Sequence, residues 1–164
     1  MATLQWIPEL NTGIPEIDKQ HRRLCEYINL LEDVRLTHDR KKLGEVIEEM
    51  VDYTVSHFTF EEGLMQDAGY TFFGPHKRVH DLLTRRVLDF KTRFDKGEDV
   101  TEELHGMLSR WLFNHIRNED HGYVDAAKAY LRMTANTQRP RLAAAEQEMN
   151  RPKRSWIARL FKGG

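Results

Sequence analysis

Cysteine is nearly absent from this chain: Cys25 is the single one in 164 residues. A disulfide within the chain, a thiolate zinc cage and a cysteine-held iron–sulfur cluster are therefore excluded, and the lone thiol fits a reducing compartment. Net charge is nearly absent too. Lys and Arg number 25 against 26 Asp and Glu, leaving −1 overall, so no global field draws the protein to nucleic acid, which is not expected as a partner. Long apolar runs are also missing. No stretch approaches the roughly 18 residues of a membrane span, and Met1 to Leu10 lacks a basic start followed by an apolar run. A cytoplasmic protein is expected, and the length excludes a large multidomain enzyme.

Proline and glycine are sparse enough to leave four long uninterrupted stretches, none with the period-two alternation of a strand. The first, from about Pro15 to Thr37, places Ile17, His21, Leu24, Ile28 and Leu31 on one helical face. The second, ending near Gln66, repeats those steps with Leu43, Ile47, Met50, Thr54, His57, Glu61 and Leu64. The third starts after Gly74-Pro75 and stops before Gly97, with His76, His80, Leu83, Val87, Phe90 and Phe94 in register. The fourth runs from a Thr101 cap to about Asn118 through Leu104, Leu108, Trp111, Leu112 and His115. Four such helices with short connections predict an all-α, up-down-up-down four-helix bundle. An N-terminal arm carrying Trp6 and Ile7 is expected to pack along it, and Tyr123 to Met133 to form a short further helix.

What the chain has in excess is histidine, eight in all. Five of them, with one glutamate, fall on the inward stripes: His21, His57, Glu61, His76, His80 and His115. Packed in an apolar core, each unpaired polar group costs several kcal/mol, about 2–7 by transfer data. A bound cation removes that cost by taking the lone pairs. Pairs at i and i+4, His57 with Glu61 and His76 with His80, can each aim two donors at one point. The next acidic residues resist this geometry. Asp120 lies five positions past His115, about 140° around an ideal helix, unless the fourth helix distorts or ends between them. On spacing alone Glu119 is the better donor.

The elements Ile17-Asp18-Lys19-Gln20-His21, His57-Phe58-Thr59-Phe60-Glu61-Glu62, His76-Lys77-Arg78-Val79-His80, and Trp111 through His115-Ile116 to Asp120 resemble the hemerythrin family in order and spacing, over about Trp6 to Met133. The resemblance implies two iron ions (Fe2+/Fe3+) with an oxo or hydroxo bridge, and it selects Asp120 over Glu119. It places His76, His80 and His115 on one iron and His21 and His57 on the other. Glu61 and Asp120 bridge the two, and one coordination position stays open on the two-histidine iron. The implied function is reversible O2 binding for intracellular storage, delivery or buffering. The inward set holds no Glu-x-x-His pair, and a histidine-rich site is less suited to high-valent iron than a carboxylate-rich one. Leu24, Phe58, Trp111, Leu112 and Ile116 neighbour the ligand positions and are expected to line a dry O2 pocket, or simply to pack the core.

Residues 1–135 are thus read as the bundle and 136–164 as a basic amphipathic tail. Arg154, Trp156, Ile157, Arg159, Leu160, Phe161 and Lys162 suggest an interfacial helix. A membrane surface, a protein partner, packing back on the bundle or staying disordered are the alternatives, the first giving a peripheral place at the inner membrane. Two other functions stay open: an O2, NO or redox sensor signalling through the tail, and di-iron peroxidase or NO reductase activity. His38, His105 and His121 are expected to be solvated, and Cys25 to be a small buried residue.

Overall fold

The computed structural model describes residues 3–161. Helix α1 spans Pro15–Arg35, α2 Arg40–Asp67, α3 Phe73–Asp95 and α4 Thr101–His115. Each begins where the local chemistry allows. Pro15 occupies the first turn of α1, where its missing N–H costs nothing, and Asp39 caps α2 by accepting from the Lys42 amide at 3.0 Å. The turn before α1 is tied to the helix by Asp18, whose carboxylate accepts from the Thr12 amide at 2.7 Å, the Thr12 hydroxyl at 2.8 Å and the Gly13 amide at 3.1 Å. Gly13, at φ +83°, supplies the left-handed conformation this turn requires. Helix α3 starts two residues ahead of Pro75, and Thr101 is the first residue of α4 rather than its cap.

The up-down-up-down arrangement follows from which neighbours share a layer. Moving one turn from the histidines into the main core, the layer holds Leu24, three after His21, and Thr54, three before His57. It also holds Leu83, three after His80, and Leu112, three before His115. The sign alternates from helix to helix, as antiparallel neighbours demand. Beyond this layer the main core continues through Ile28, Leu31, Ile47, Met50, Val87, Phe90, Leu104 and Leu108. On the other side of the histidines a smaller apolar cluster joins Ile14, Ile17, Leu64 and Met65 to Tyr123, Ala127 and Leu131. The polar residues lie between two apolar layers.

The fourth helix does not end after His115. A π-helical turn over Ile116–Asp120 leads without a break into α5, His121–Met133. Gly122 sits inside α5 because a Cβ there would meet the Tyr70 hydroxyl at 2.7 Å. The N-terminal arm packs along the bundle: Leu4 exchanges hydrogen bonds with the Asn29 side chain at 2.8 and 3.0 Å, and Trp6 meets Phe113 edge-on.

After α5 come α6, Gln138–Met149, and α7, Ser155–Phe161. They build no core of their own among the described residues. Ile157 is fully buried in the main core, and the Phe161 ring stands edge-on to Tyr27 with centroids 5.1 Å apart. Trp156 donates its indole N–H to Glu45 at 2.7 Å, and Arg154 pairs with Glu48 at 2.9 Å. The apolar side of the tail is therefore covered by α1 and α2. Leu160 and Arg159 face solvent, and Lys162 lies outside the described residues. No described helix is long and apolar enough to cross a membrane.

Candidate metal centre

All seven side chains singled out above meet in the interior. His21 comes from α1, His57 and Glu61 from α2, His76 and His80 from α3, His115 from the end of α4, and Asp120 from the π turn. Each is at most 4% exposed. Their donor atoms form two overlapping groups. One is His76, His80 and His115, the other His21 and His57, and both include Glu61 and Asp120. The two carboxylates are thus held in common, with three imidazoles on one side and two on the other.

Asp120 reaches the site because the π turn inserts one residue into the helical phase. Its carboxylate comes to 2.9 Å from His115 Nε2, 3.1 Å from His76 Nε2 and 3.0 Å from His21 Nε2. A regular α-helix would have turned it away. Glu119, the residue favoured by α-helical spacing, instead approaches the outer nitrogen of His115, Nδ1, at 3.4 Å.

The imidazoles are oriented from outside. Gln20 Oε1 accepts from His57 Nδ1 at 2.7 Å, and Glu62 Oε1 accepts from His80 Nδ1 at 3.0 Å. A carboxylate can only accept, so a His80 hydrogen sits on Nδ1, and in the neutral ring Nε2 is the nitrogen left to face inward as a donor to metal. There it lies 3.1 Å from both His76 Nε2 and His115 Nε2, and 3.4 Å from Glu61 Oε2. Glu61 Oε2 and both Asp120 oxygens lack any well-directed hydrogen-bond donor. Lone pairs converging in a dry interior repel one another unless a cation takes them, so the donor set fits bound metal. Tyr123, buried on α5, donates its hydroxyl to Glu61 Oε1 at 2.7 Å.

Without metal the site's charges are strongly perturbed. Burial opposes a charge on His21, but the nearby Asp120 and Glu61 carboxylates, at 3.0 and 3.3 Å, outweigh burial and push it up to about 10. For His57 burial prevails over the pull of Glu61 and lowers it to about 3. Burial also works against ionising Glu61 and Asp120, yet the surrounding imidazoles hold both carboxyls well below their ordinary range.

Of the five residues expected to line a pocket, Leu24, Trp111 and Leu112 border a cavity of about 20 Å³ one turn from the histidines, none of which lines it, together with Ile28, Met50, Thr54, Leu83 and Leu108. Phe58 is instead stacked face to face on His80, with centroids 3.8 Å apart, and Ile116 is fully buried without bordering this space. The remaining histidines divide. His38 is exposed in the turn after α1, and His121 is half-buried near the Leu10 carbonyl. His105, expected to be solvated, is 2% exposed on α4. Helix α4 buries a wider stripe than its apolar residues alone mark.

Sequence reasoning left Gln20, Glu62 and Tyr123 without a role at the site. The first two had a signal, since each adjoins a ligand candidate in the chain and can reach the back of a ring on the next helix. Tyr123 had none, because its place depends on the unbroken passage into α5.

Fold and site together define a helical-bundle protein with a buried cluster of five histidines and two carboxylates that could hold metal. The family model of the hemerythrin HHE cation binding domain matches residues 12–127. The chain is 59% identical over 128 residues to a bacteriohemerythrin of Pseudomonas paraeruginosa, covering 78% of this chain and 84% of that one. It is 53% identical over 135 residues to a bacteriohemerythrin of Stenotrophomonas maltophilia, covering 82% and 88%. A crystal structure of wild-type hemerythrin superposes with a TM-score of 0.74 at 31% identity, covering 77% of this chain and 98% of that one. The chain belongs to the hemerythrin family.

Proposed function

We propose that this protein binds O2 reversibly at a non-haem di-iron centre and serves to store, deliver or buffer the gas in the cytoplasm. Family membership supports the di-iron, oxygen-binding character. The observation that carries the reading is the pair of overlapping donor groups, unequal by one imidazole, with a small apolar cavity one turn away along the bundle.

His76, His80 and His115 would hold one iron, His21 and His57 the other, and Glu61 with Asp120 would bridge them. When bound, the iron pair supplies the electrons that capture O2 and takes them back on release. The chain's own residues set the conditions. Gln20 and Glu62 fix the rings of His57 and His80, while Tyr123 holds Glu61 in place. The cavity has room for about one water-sized molecule, which also suits a diatomic gas. Its one hydroxyl, on Thr54, is engaged by the Met50 carbonyl at 2.8 Å, so no acid within it offers a proton. Exclusion of water favours release of the intact gas over loss of a reduced oxygen product.

The test is anaerobic loading with ferrous iron followed by cycles of air and vacuum. Two irons per chain, with visible absorption that rises in air and disappears under vacuum, are expected. Absorption that persists under vacuum, or sustained turnover of peroxide or nitric oxide, would transfer the protein to the enzyme class.

A further inference from the structure

A di-iron oxygen carrier that slips to the ferric state binds no O2 until electrons return, and resting on that reading the question is where they enter. The only thiol among the described residues, Cys25, is buried against the Leu4 carbonyl and has its ionisation pushed up to about 11 by burial, so it offers no reductant. The electrons must come from outside.

Among the lateral helix pairs, α3 and α4 approach each other least closely. At one end of their seam Arg93 of α3 reaches Glu103 of α4 at 3.2 Å. Further along lies an open pocket of about 320 Å³, bordered by Arg86, Met107, Arg110, Trp111, Asn114, His115, Asn118 and Glu119. Its floor includes a ligand candidate. The Trp111 ring is stacked on His115 with centroids 4.2 Å apart and planes 15° from parallel. Trp111 is half-buried, so the π system in contact with the centre's imidazole is also in contact with the pocket.

Of the charges on the rim, Glu119 approaches His115 at 3.4 Å and the two arginines stand unpaired. Arg86 and Arg110 are exposed, and neither makes a salt bridge among the described residues, unlike Arg93 beside them. Arg110 is laid along its own helix over Gly106, where a Cβ would meet its Nη1 at 3.2 Å. Gly in a helix interior is less favourable than Ala, and here it makes room for that guanidinium. One turn from Arg86 on α3, Leu82 is 61% exposed, an apolar contact beside two cations. Arginine flanked by an exposed apolar residue suits a transient protein contact with an acidic surface.

We propose that the α3/α4 groove is the docking site of a small acidic electron-carrier protein, which reduces the ferric centre through Trp111 and His115. Each docking would pass one electron from the carrier's reduced cofactor to one ferric ion, and an oxo bridge, where present, would take up one proton from solvent as the pair becomes ferrous. Two dockings restore the pair.

The test uses the full chain, iron-loaded and oxidised, mixed anaerobically with reduced ferredoxin as the acidic probe, and separately with dithionite. Binding of oxidised ferredoxin is measured in parallel by calorimetry. Arg86→Glu with Arg110→Glu should weaken ferredoxin binding and slow reduction by about tenfold or more at low salt, while reduction by dithionite stays at the wild-type rate. Raising salt should slow wild-type reduction by ferredoxin and erase most of that difference. Ferredoxin binding and reduction that are equal in variant and wild type, or insensitive to salt, overturn the docking site. Failure of dithionite to reduce the centre in any form would instead overturn the di-iron reading itself, since the groove plays no part in that reaction.

Discussion

At the scale of single residues, the centre depends as much on what stands behind the ligands as on the ligands. Gln20 is fully buried and has one visible task, accepting from His57 Nδ1. Gln20→Leu keeps the volume but removes the acceptor, so His57 loses its fixed tautomer. Metal affinity should fall about 10–100-fold, measured by competition with a chelator. His21 supplies a pH dependence. In the metal-free protein its pKa is raised to about 10, so at neutral pH it carries a proton that a metal ion must displace. Affinity should therefore rise with pH up to about 10, and calorimetry of loading in buffers of different ionisation enthalpy should detect the released proton. His57, lowered to about 3, contributes none at neutral pH. Six of the seven ligand candidates were legible because histidine on an apolar stripe is costly and therefore conspicuous. Asp120 was selected only by family resemblance, since the α-helical period assigns it to the wrong face.

At the scale of elements, that exception is explained by five residues of π helix, Ile116–Asp120. A π turn is an α turn with one residue inserted, so the helix beyond it returns to its former phase. Deleting Asn118 should convert it to a regular α turn, leaving the aspartate four residues past the histidine and α5 still docked. Two metal ions per chain should be retained, as counted by metal analysis. Deleting Arg110 from the regular part of α4 rotates everything beyond it by about 100° and should abolish binding of both. The sequence holds no period that announces a π turn, so the helix end expected near Asn118 does not occur, and Gly122 just beyond it makes room for Tyr70. The four long helices were readable because each has its own continuous apolar face. The buried place of His105 was not, because the neighbours that cover it belong to other segments.

At the scale of the whole molecule, the tail joins the bundle instead of standing apart. Its ion pairs are conspicuous but partly exposed, as with Lys153 and Asp52 at 2.6 Å, and such pairs contribute about 0–1 kcal/mol each. Ile157 has no exposed surface, and truncating a buried isoleucine costs about 2–5 kcal/mol. Ile157→Ala should therefore free residues 155–161 to exchange amide hydrogens far faster, whereas Lys153→Ala should change their protection little. A membrane-bound tail would have to give up the Ile157 and Phe161 contacts first. Amphipathic spacing made α7 legible as a helix, but the same spacing serves a lipid surface and a neighbouring helix alike, and only the bundle's own acidic face decides between them. The placement of the seven donors between two apolar layers has a kinetic consequence. An ion held there is screened from water except where His115 borders the α3/α4 groove, so it leaves chiefly when helices part. The rate at which isotopically labelled iron swaps with bulk iron should then follow the breathing of the scaffold, slowing with every mutation that tightens it, and the age of a metal atom in the protein becomes a clock for how often the bundle opens.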